Sequence, residues 1–213
     1  MEVFDLSAPL DERTPIFPGD PPYFAQRFLD REKDGVNELK LSIGTHTGTH
    51  VDVPLHHISG GKDVSEFPLG RFVGPALVAR VDKGPGKEIL PEDLAPKGVQ
   101  PEDILIVSTG WEDRLYKDDY FTAFPVFSPD VAHFLAETRI KALATDTPSV
   151  DPLGSHGEFH RLVLARGIGI VEALVNLRSL RGERVFFCAV PLKIKSGDGS
   201  PVRAVAIKNM PTL

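Results

Sequence analysis

Thirteen residues, Thr45 to His57, read THTGTHVDVPLHH and constrain the fold more than any other stretch of the chain. They hold four of the seven histidines and an aspartate, and they make a poor helix. Three threonines, two valines, a glycine and a proline fall within the first ten of these residues, which favours extended backbone. Side chains alternate along extended backbone, so His46, His50, Asp52 and His56 share one side and His57 takes the other. A straight strand would still hold His46 and His50 about 13 Å apart. Zinc–nitrogen bonds are only about 2 Å long, so the chain must bend near Gly48 or the two histidines must serve different ions. Glycine suits a bend because it tolerates backbone angles that other residues avoid. Asp52 can share the ion of His50 or bridge two ions through its separate oxygens. The competing reading is a half-apolar strand whose histidines are simply hydrogen-bonded or exposed. Four imidazoles interleaved with an acid and small Thr and Gly residues favour the metal site. Ligation by His and carboxylate without thiolate suits Zn²⁺ or Mn²⁺ and disfavours iron–sulfur chemistry.

The chain has 213 residues, enough for one substantial domain, and residues 1–213 are read as a single unit. A net charge of −6 and the lack of a basic block argue against a nucleic-acid partner. The 19 prolines and 19 glycines are spread along the chain, which argues against low-complexity disorder. The lone Cys188, inside VFFCAV, excludes an intramolecular disulfide, fits a reducing compartment, and reads as a small buried strand residue. MEVFDLS lacks the pattern of a signal peptide, and no apolar run reaches membrane-spanning length. The expectation is a cytoplasmic protein with a small-molecule substrate and neither a membrane nor a nucleic-acid partner.

Val3 to Leu6 reads as a first strand, followed by the turn-rich TPIFPGDPP that carries Phe17. Leu39 to Ile43 alternates apolar and polar residues, predicting a half-buried strand that runs into the histidine segment. Ala76 to Val81 and Ile104 to Val107 read as buried strands, with a short helix at most in LPEDLAPK between them. SPDVAHFLAETR, Ser128 to Arg139, reads as a helix capped by Ser128, with Pro129 in its first turn and Val131, Phe134 and Leu135 on one face. A strand at Ala142 to Ala144, a helix over Phe159 to Ala165 closed by Gly167, and strands from Arg184 and over Val202 to Ile207 complete the chain. Strands and helices do not alternate regularly, so the class is mixed α/β or α+β rather than a doubly wound sheet.

HTGTHVDVPLH, His46 to His56, resembles the H-x-G-T-H-x-D-x-P-x-H signature of the metal-dependent cyclase/hydrolase family at every fixed position. FDLSAPL with TPIFPGD, TDTPSVD from Thr145, and PLKIKSGDGSPVRAVA from Pro191 resemble its other elements, so the similarity covers nearly the whole chain. One departure bears on substrate: Phe17 stands where the P-x-W-P-G-D loop has Trp. The resemblance implies the swivelling β/β/α fold of that family, an α/β class, and assembly as a homodimer or a larger homo-oligomer.

It also implies a site. His46, His50 and Asp52 match the family's first metal ligands and His56 its catalytic histidine. HRLVLARGIGIVE supplies a later histidine and glutamate, His160 and Glu172. By themselves His160 near a helix start and Glu172 among apolar residues are unremarkable, although a buried acid needs a cation or several donors. Asp146 and Asp151 read equally well as support for the site or as turn formers. His133 and His156 read as surface residues. The implied reaction is hydrolysis of a small aryl amide, N-formylkynurenine first, with one or two divalent ions, Zn²⁺ or Mn²⁺, lowering the pKa of a water. His56 would stand outside the ligand set and carry the proton to the leaving nitrogen. Phe17, Tyr23 and Phe24 are candidates for an aromatic wall around the substrate, with ordinary packing as the competing reading. Opening of a cyclic amide such as isatin is the alternative reaction, and a non-catalytic metal-binding protein the alternative class.

Overall fold

The computed structural model describes residues 1–209, and a nine-stranded mixed sheet organises it. Val73–Arg80, Ile104–Ser108, Ala142–Thr145 and Gly169–Glu172 lie side by side and parallel in that order. The last three are buried along their whole length, as parallel strands covered on both faces are. Antiparallel strands extend the sheet to both sides. Arg184–Cys188, Val205–Lys208 and Glu2–Asp5 follow beyond Val73–Arg80, and His50–Asp52 and Gly199–Pro201 follow beyond Gly169–Glu172.

Alternation sorts these strands onto two cores. Leu77, Leu105, Val107, Leu143 and Ile170 pack against the helices Pro129–Thr138 and Glu158–Leu164 through Val131, Leu135, Phe159 and Val163. Ala76, Val78, Ile104, Ile106 and Val171 point the other way, onto Phe187, Leu174, Leu6 and Ala206. That second core is closed by the sheet itself, which curls until its two ends meet. The chain shows why: Pro201 ends the strand at one edge, and Val205 begins one near the other, so the connection spans at most about 14 Å. Val202 N–H donates to the Thr49 carbonyl at 2.9 Å, Leu6 N–H to Ala204 at 2.9 Å, and Ser7 bridges to Leu174. Of the segment Val202 to Ile207, read as one strand, only Val205 onward is strand, and residues 202–204 are the connection across the seam.

Burial differs from the sequence reading at a few places. The strand expected at Leu39 to Ile43 is Glu38–Ser42, exposed throughout rather than half-buried, because its sheet partner within the chain is Phe24–Leu29. The two form a hairpin whose alternating apolar residues meet no core of their own chain. Cys188 is half-buried at the end of its strand rather than buried. Ser128 does not cap its helix through its side chain, and its Oγ is buried without a hydrogen-bond partner. Among the described residues no helix is long and apolar enough to cross a membrane.

Candidate metal centre

The chain bends at Gly48, which sits at φ +66° with Leu10 packed where a Cβ would be, 2.6 Å away. Residues 45–49 are therefore turn, and the strand proper is only His50–Asp52. The fold-back brings the His46 and His50 ring centroids to 5.1 Å, against the ~13 Å of a straight strand. Within the strand, parity operates as expected. His50 and Asp52 share the helix-facing side, and Val51 enters the opposite core. Glu172 pairs directly across from His50, which puts its carboxylate on the same side. His160 arrives from the helix packed over that face.

Asp52 is the hub. Its Oδ1 lies 2.7 Å from His46 Nδ1 and 3.4 Å from His50 Nε2, and its Oδ2 lies 3.5 Å from His160 Nε2. Glu172 spans the far side, with Oε2 3.4 Å from His50 Nε2 and Oε1 3.2 Å from His160 Nε2. Each of the three histidines turns its other nitrogen onto an acceptor: His46 Nε2 onto Asp198 at 2.9 Å, His50 Nδ1 onto the Gly48 carbonyl at 2.9 Å, His160 Nδ1 onto Asp151 at 2.6 Å. This is how metal-ligating imidazoles are held, one nitrogen fixed by an acceptor and the other aimed at the ion. Asp151 also accepts the Phe159 and His160 N–H groups, so it orients His160 as well as starting its helix.

A divalent ion fits these residues. Asp52 Oδ2 is buried with no hydrogen-bond partner, a costly state that a cation relieves. The donors are imidazole nitrogens and carboxylate oxygens, and they form two compact groups sharing Asp52: His50, Asp52 and Glu172, and His46, Asp52 and His56. Without metal, protons do the balancing. Burial pushes His46 down, but hydrogen bonds to Asp198 and Asp52 outweigh it and hold it up at about 9. Burial likewise opposes, and the charge and hydrogen bonds of Asp52 and Glu172 overcome, so that His50 stands at about 10. His160 is also raised against burial by Asp151, Asp52 and Glu172, and Asp52 is lowered against burial by His50, His160 and His46.

Metal must therefore displace protons. Zinc affinity is expected to rise with pH between about pH 6 and pH 8, by about tenfold per unit for each proton displaced. Calorimetry in buffers of different ionisation enthalpy reads the release directly, and a pH-independent affinity would reject it. The metal-free protein carries the complementary signature. Stability from the raised imidazoles is fully present below their unfolded value of about 6.5 and is lost as pH rises through the folded values near 9 and 10.

The remaining histidines divide. His56 sits at the end of the single-turn helix Pro54–His56, stacked on His46 at 3.9 Å between centroids, with Nδ1 3.2 Å from Asp198. His57, the weaker candidate by parity, lines the same cleft 4.7 Å from the His160 ring. Burial first, then the charges of His160 and His56, holds it down at about 4, so it stays neutral. A Cβ at Gly157, itself at φ +68°, would collide with the His57 ring. His133 is an exposed partner of Arg166, and His156 is exposed.

The cleft above the cluster has a volume of about 220 Å³, and among the described residues no Lys or Arg lines it. Phe17 is on its wall, edge-on to Phe121 at 5.4 Å. Tyr23 and Phe24 are not. The Tyr23 hydroxyl donates to the Leu10 carbonyl away from the cleft, and Phe24 is 54% exposed on the hairpin, so the proposed aromatic wall reduces to Phe17. Asp198 went unassigned in the sequence. Its one local signal is an acid between two glycines, in KSGDGSP.

The description of the family "Putative cyclase" matches residues 4–152. The chain is 35% identical over 211 residues to the kynurenine formamidase of Geobacillus thermodenitrificans, covering 96% of each. It is 36% identical over 211 residues to that of Salinibacter ruber, covering 96% of this chain and 97% of the other. Among solved structures it is similar to isatin hydrolase A from Labrenzia aggregata bound to benzyl benzoate, with TM-score 0.85, 27% identity and coverage of 96% and 93%. It is similar also to a "predicted metal-dependent hydrolase" from Bacillus stearothermophilus, with TM-score 0.79, 26% identity and coverage of 96% and 97%.

Proposed function

Because this chain belongs to the putative cyclase family, we propose that it is a divalent-metal-dependent amidohydrolase that cleaves an aryl formamide, N-formylkynurenine before others, to the aryl amine and formate. One observation carries the reading: three histidines and two carboxylates converge at the floor of a cleft, with a fourth histidine, His56, beside them. The two curated relatives at 35% and 36% identity support the formamide as substrate.

His46, His50, Asp52, His160 and Glu172 would hold the metal, Zn²⁺ or Mn²⁺. The metal supplies Lewis acidity, lowering the pKa of a water and polarising the carbonyl. The residues supply the rest. Phe17, backed edge-on by Phe121, packs against the aryl ring. His56 takes a proton from the water that adds to the formyl carbon, then returns it to the nitrogen as the carbon–nitrogen bond breaks. The second reading, opening of the cyclic amide of isatin, rests on the structural likeness to isatin hydrolase A at TM-score 0.85 and on the smaller Phe17.

The test is hydrolysis of N-formylkynurenine and of isatin by metal-stripped protein reconstituted separately with Zn²⁺ and Mn²⁺. Turnover of the formamide with either ion supports the first reading and identifies a competent metal. Turnover of isatin alone moves the assignment to the second, and turnover of neither despite metal uptake rejects both.

The enzyme assembles as a homodimer or a larger homo-oligomer through the hairpin Phe24–Leu29 and Glu38–Ser42. Phe24, Phe28, Leu39 and Leu41 are each more than half exposed there, and a two-stranded hairpin without a core is marginal in water. Phe28→Asp with Leu39→Asp is expected to lower the sedimenting mass to that of one chain. An unchanged mass would place the interface elsewhere.

A further inference from the structure

Asp198 lies 142 residues from His56 and 152 from His46, yet a single oxygen of its carboxylate serves both rings. Oδ2 is 2.9 Å from His46 Nε2 and 3.2 Å from His56 Nδ1, while Oδ1 accepts the Thr45 hydroxyl at 2.8 Å. The backbone on either side is pinned to the histidine segment. The Asp198 carbonyl accepts Val53 N–H at 3.2 Å, and Gly197 accepts Val64 N–H at 2.8 Å. Gly199 lies so close that a Cβ would come 2.6 Å from the Val51 carbonyl oxygen and 2.7 Å from His46 Cε1. The loop is thus shaped to press one carboxylate between a metal-facing imidazole and a cleft-facing one. Asp198 itself does not line the cleft.

An ionised carboxylate only accepts hydrogen bonds, so each nitrogen it touches must carry the hydrogen. His46 touches a carboxylate through both nitrogens, Asp198 at Nε2 and Asp52 at Nδ1, so without metal it carries both hydrogens, and a bound ion would take the place of the one on Nδ1. For His56 the same rule leaves the Nε2 lone pair as the ring's free acceptor. We propose, resting on the amidohydrolase reading above, that Asp198 is a positioning residue that sets the tautomer of His56 for proton transfer. When His56 takes the proton from water at Nε2, the ring carries hydrogens on both nitrogens. Asp198 holds the Nδ1–H throughout, and the Nε2 proton is the one passed to the leaving nitrogen.

The test compares zinc-loaded wild type with Asp198→Ala, and with Asp198→Leu, which keeps the volume without an acceptor, should the alanine variant fail to fold. Nitrogen-15 NMR of the His56 ring reads the tautomer, and zinc content and kinetics are measured alongside. The expected result is Nδ1–H in wild type and Nε2–H or a mixture in the variant. The kcat should be lower by about 10- to 100-fold with KM within about threefold, and zinc content unchanged. A His56 ring that keeps Nδ1–H, or a kcat within about twofold of wild type, overturns the proposal. Loss of zinc overturns it as well, making Asp198 a support of the ligand set rather than of His56. Should wild type take up zinc and hydrolyse neither substrate, the functional reading fails, and the tautomer comparison still decides what Asp198 does.

Discussion

Alanine in place of His56 is expected to lower turnover by about 10²- to 10⁴-fold while metal content stays at the level of the unsubstituted chain. The expectation rests on how the ring is held. Its Nδ1 faces Asp198, whereas His46, His50 and His160 each turn a nitrogen onto Asp52 or Glu172. His56 is also the more open ring, with 26% of its side chain accessible against 5% for His50 and 6% for His160. A group that exchanges protons with a substrate needs that access, and a ligand does not. The structure does place a His56 nitrogen near His46 and Asp52, so the experiment has a sharp alternative. If the variant loses metal together with activity, His56 is a ligand, and the proton carrier must be sought elsewhere in the cleft, where His57 is the other imidazole available.

What could be read from the residues follows the range of the interactions involved. The placement of His50 and Asp52 on one side is local: two residues apart on extended backbone, they share a face in any strand. The bend at Gly48 was also legible, as one of two ways to reconcile the parity with the reach of an ion, and the structure takes the bend. His46 and His56 join the cluster for reasons parity does not contain, since one lies in a turn and the other in a helical turn. His160 and Glu172 look ordinary by themselves, and only the family resemblance marked them, because strand pairing and helix packing decide what they face. Asp198 was out of reach for the same reason in stronger form. Its partners become neighbours only when the sheet curls and the segment after Cys188 returns to pair with His50–Asp52. The exposed hairpin shows the converse. Its alternation is a sound strand signal, but which face finds a core depends on surfaces outside those ten or so residues.

Asparagine at position 52 is expected to abolish metal uptake at concentrations that saturate the wild type, and turnover with it. The substitution keeps the shape and changes what the hub offers. Asp52 presents two oxygens to three imidazoles, and one of those oxygens is buried without any other partner. An amide replaces one of them with N–H groups that cannot bind a cation and removes the charge shared by both ligand groups. The cost reaches the metal-free protein too. His50 is held protonated chiefly by Asp52, and His46 by Asp198 and then Asp52, and breaking a buried charge pair from one side costs about 3–5 kcal/mol, because the other charge is left uncompensated. Thermal unfolding separates the two effects. Zinc at a hundredfold excess over its dissociation constant should stabilise the wild type by about 2.7 kcal/mol. It should leave the transition of Asp52→Asn unmoved, from a starting point already below that of metal-free wild type. A variant that unfolds like wild type without metal and still gains from zinc would show that Asp52 is neither hub nor ligand. The cluster would then have to be rebuilt around Glu172, the other carboxylate within reach of both His50 and His160.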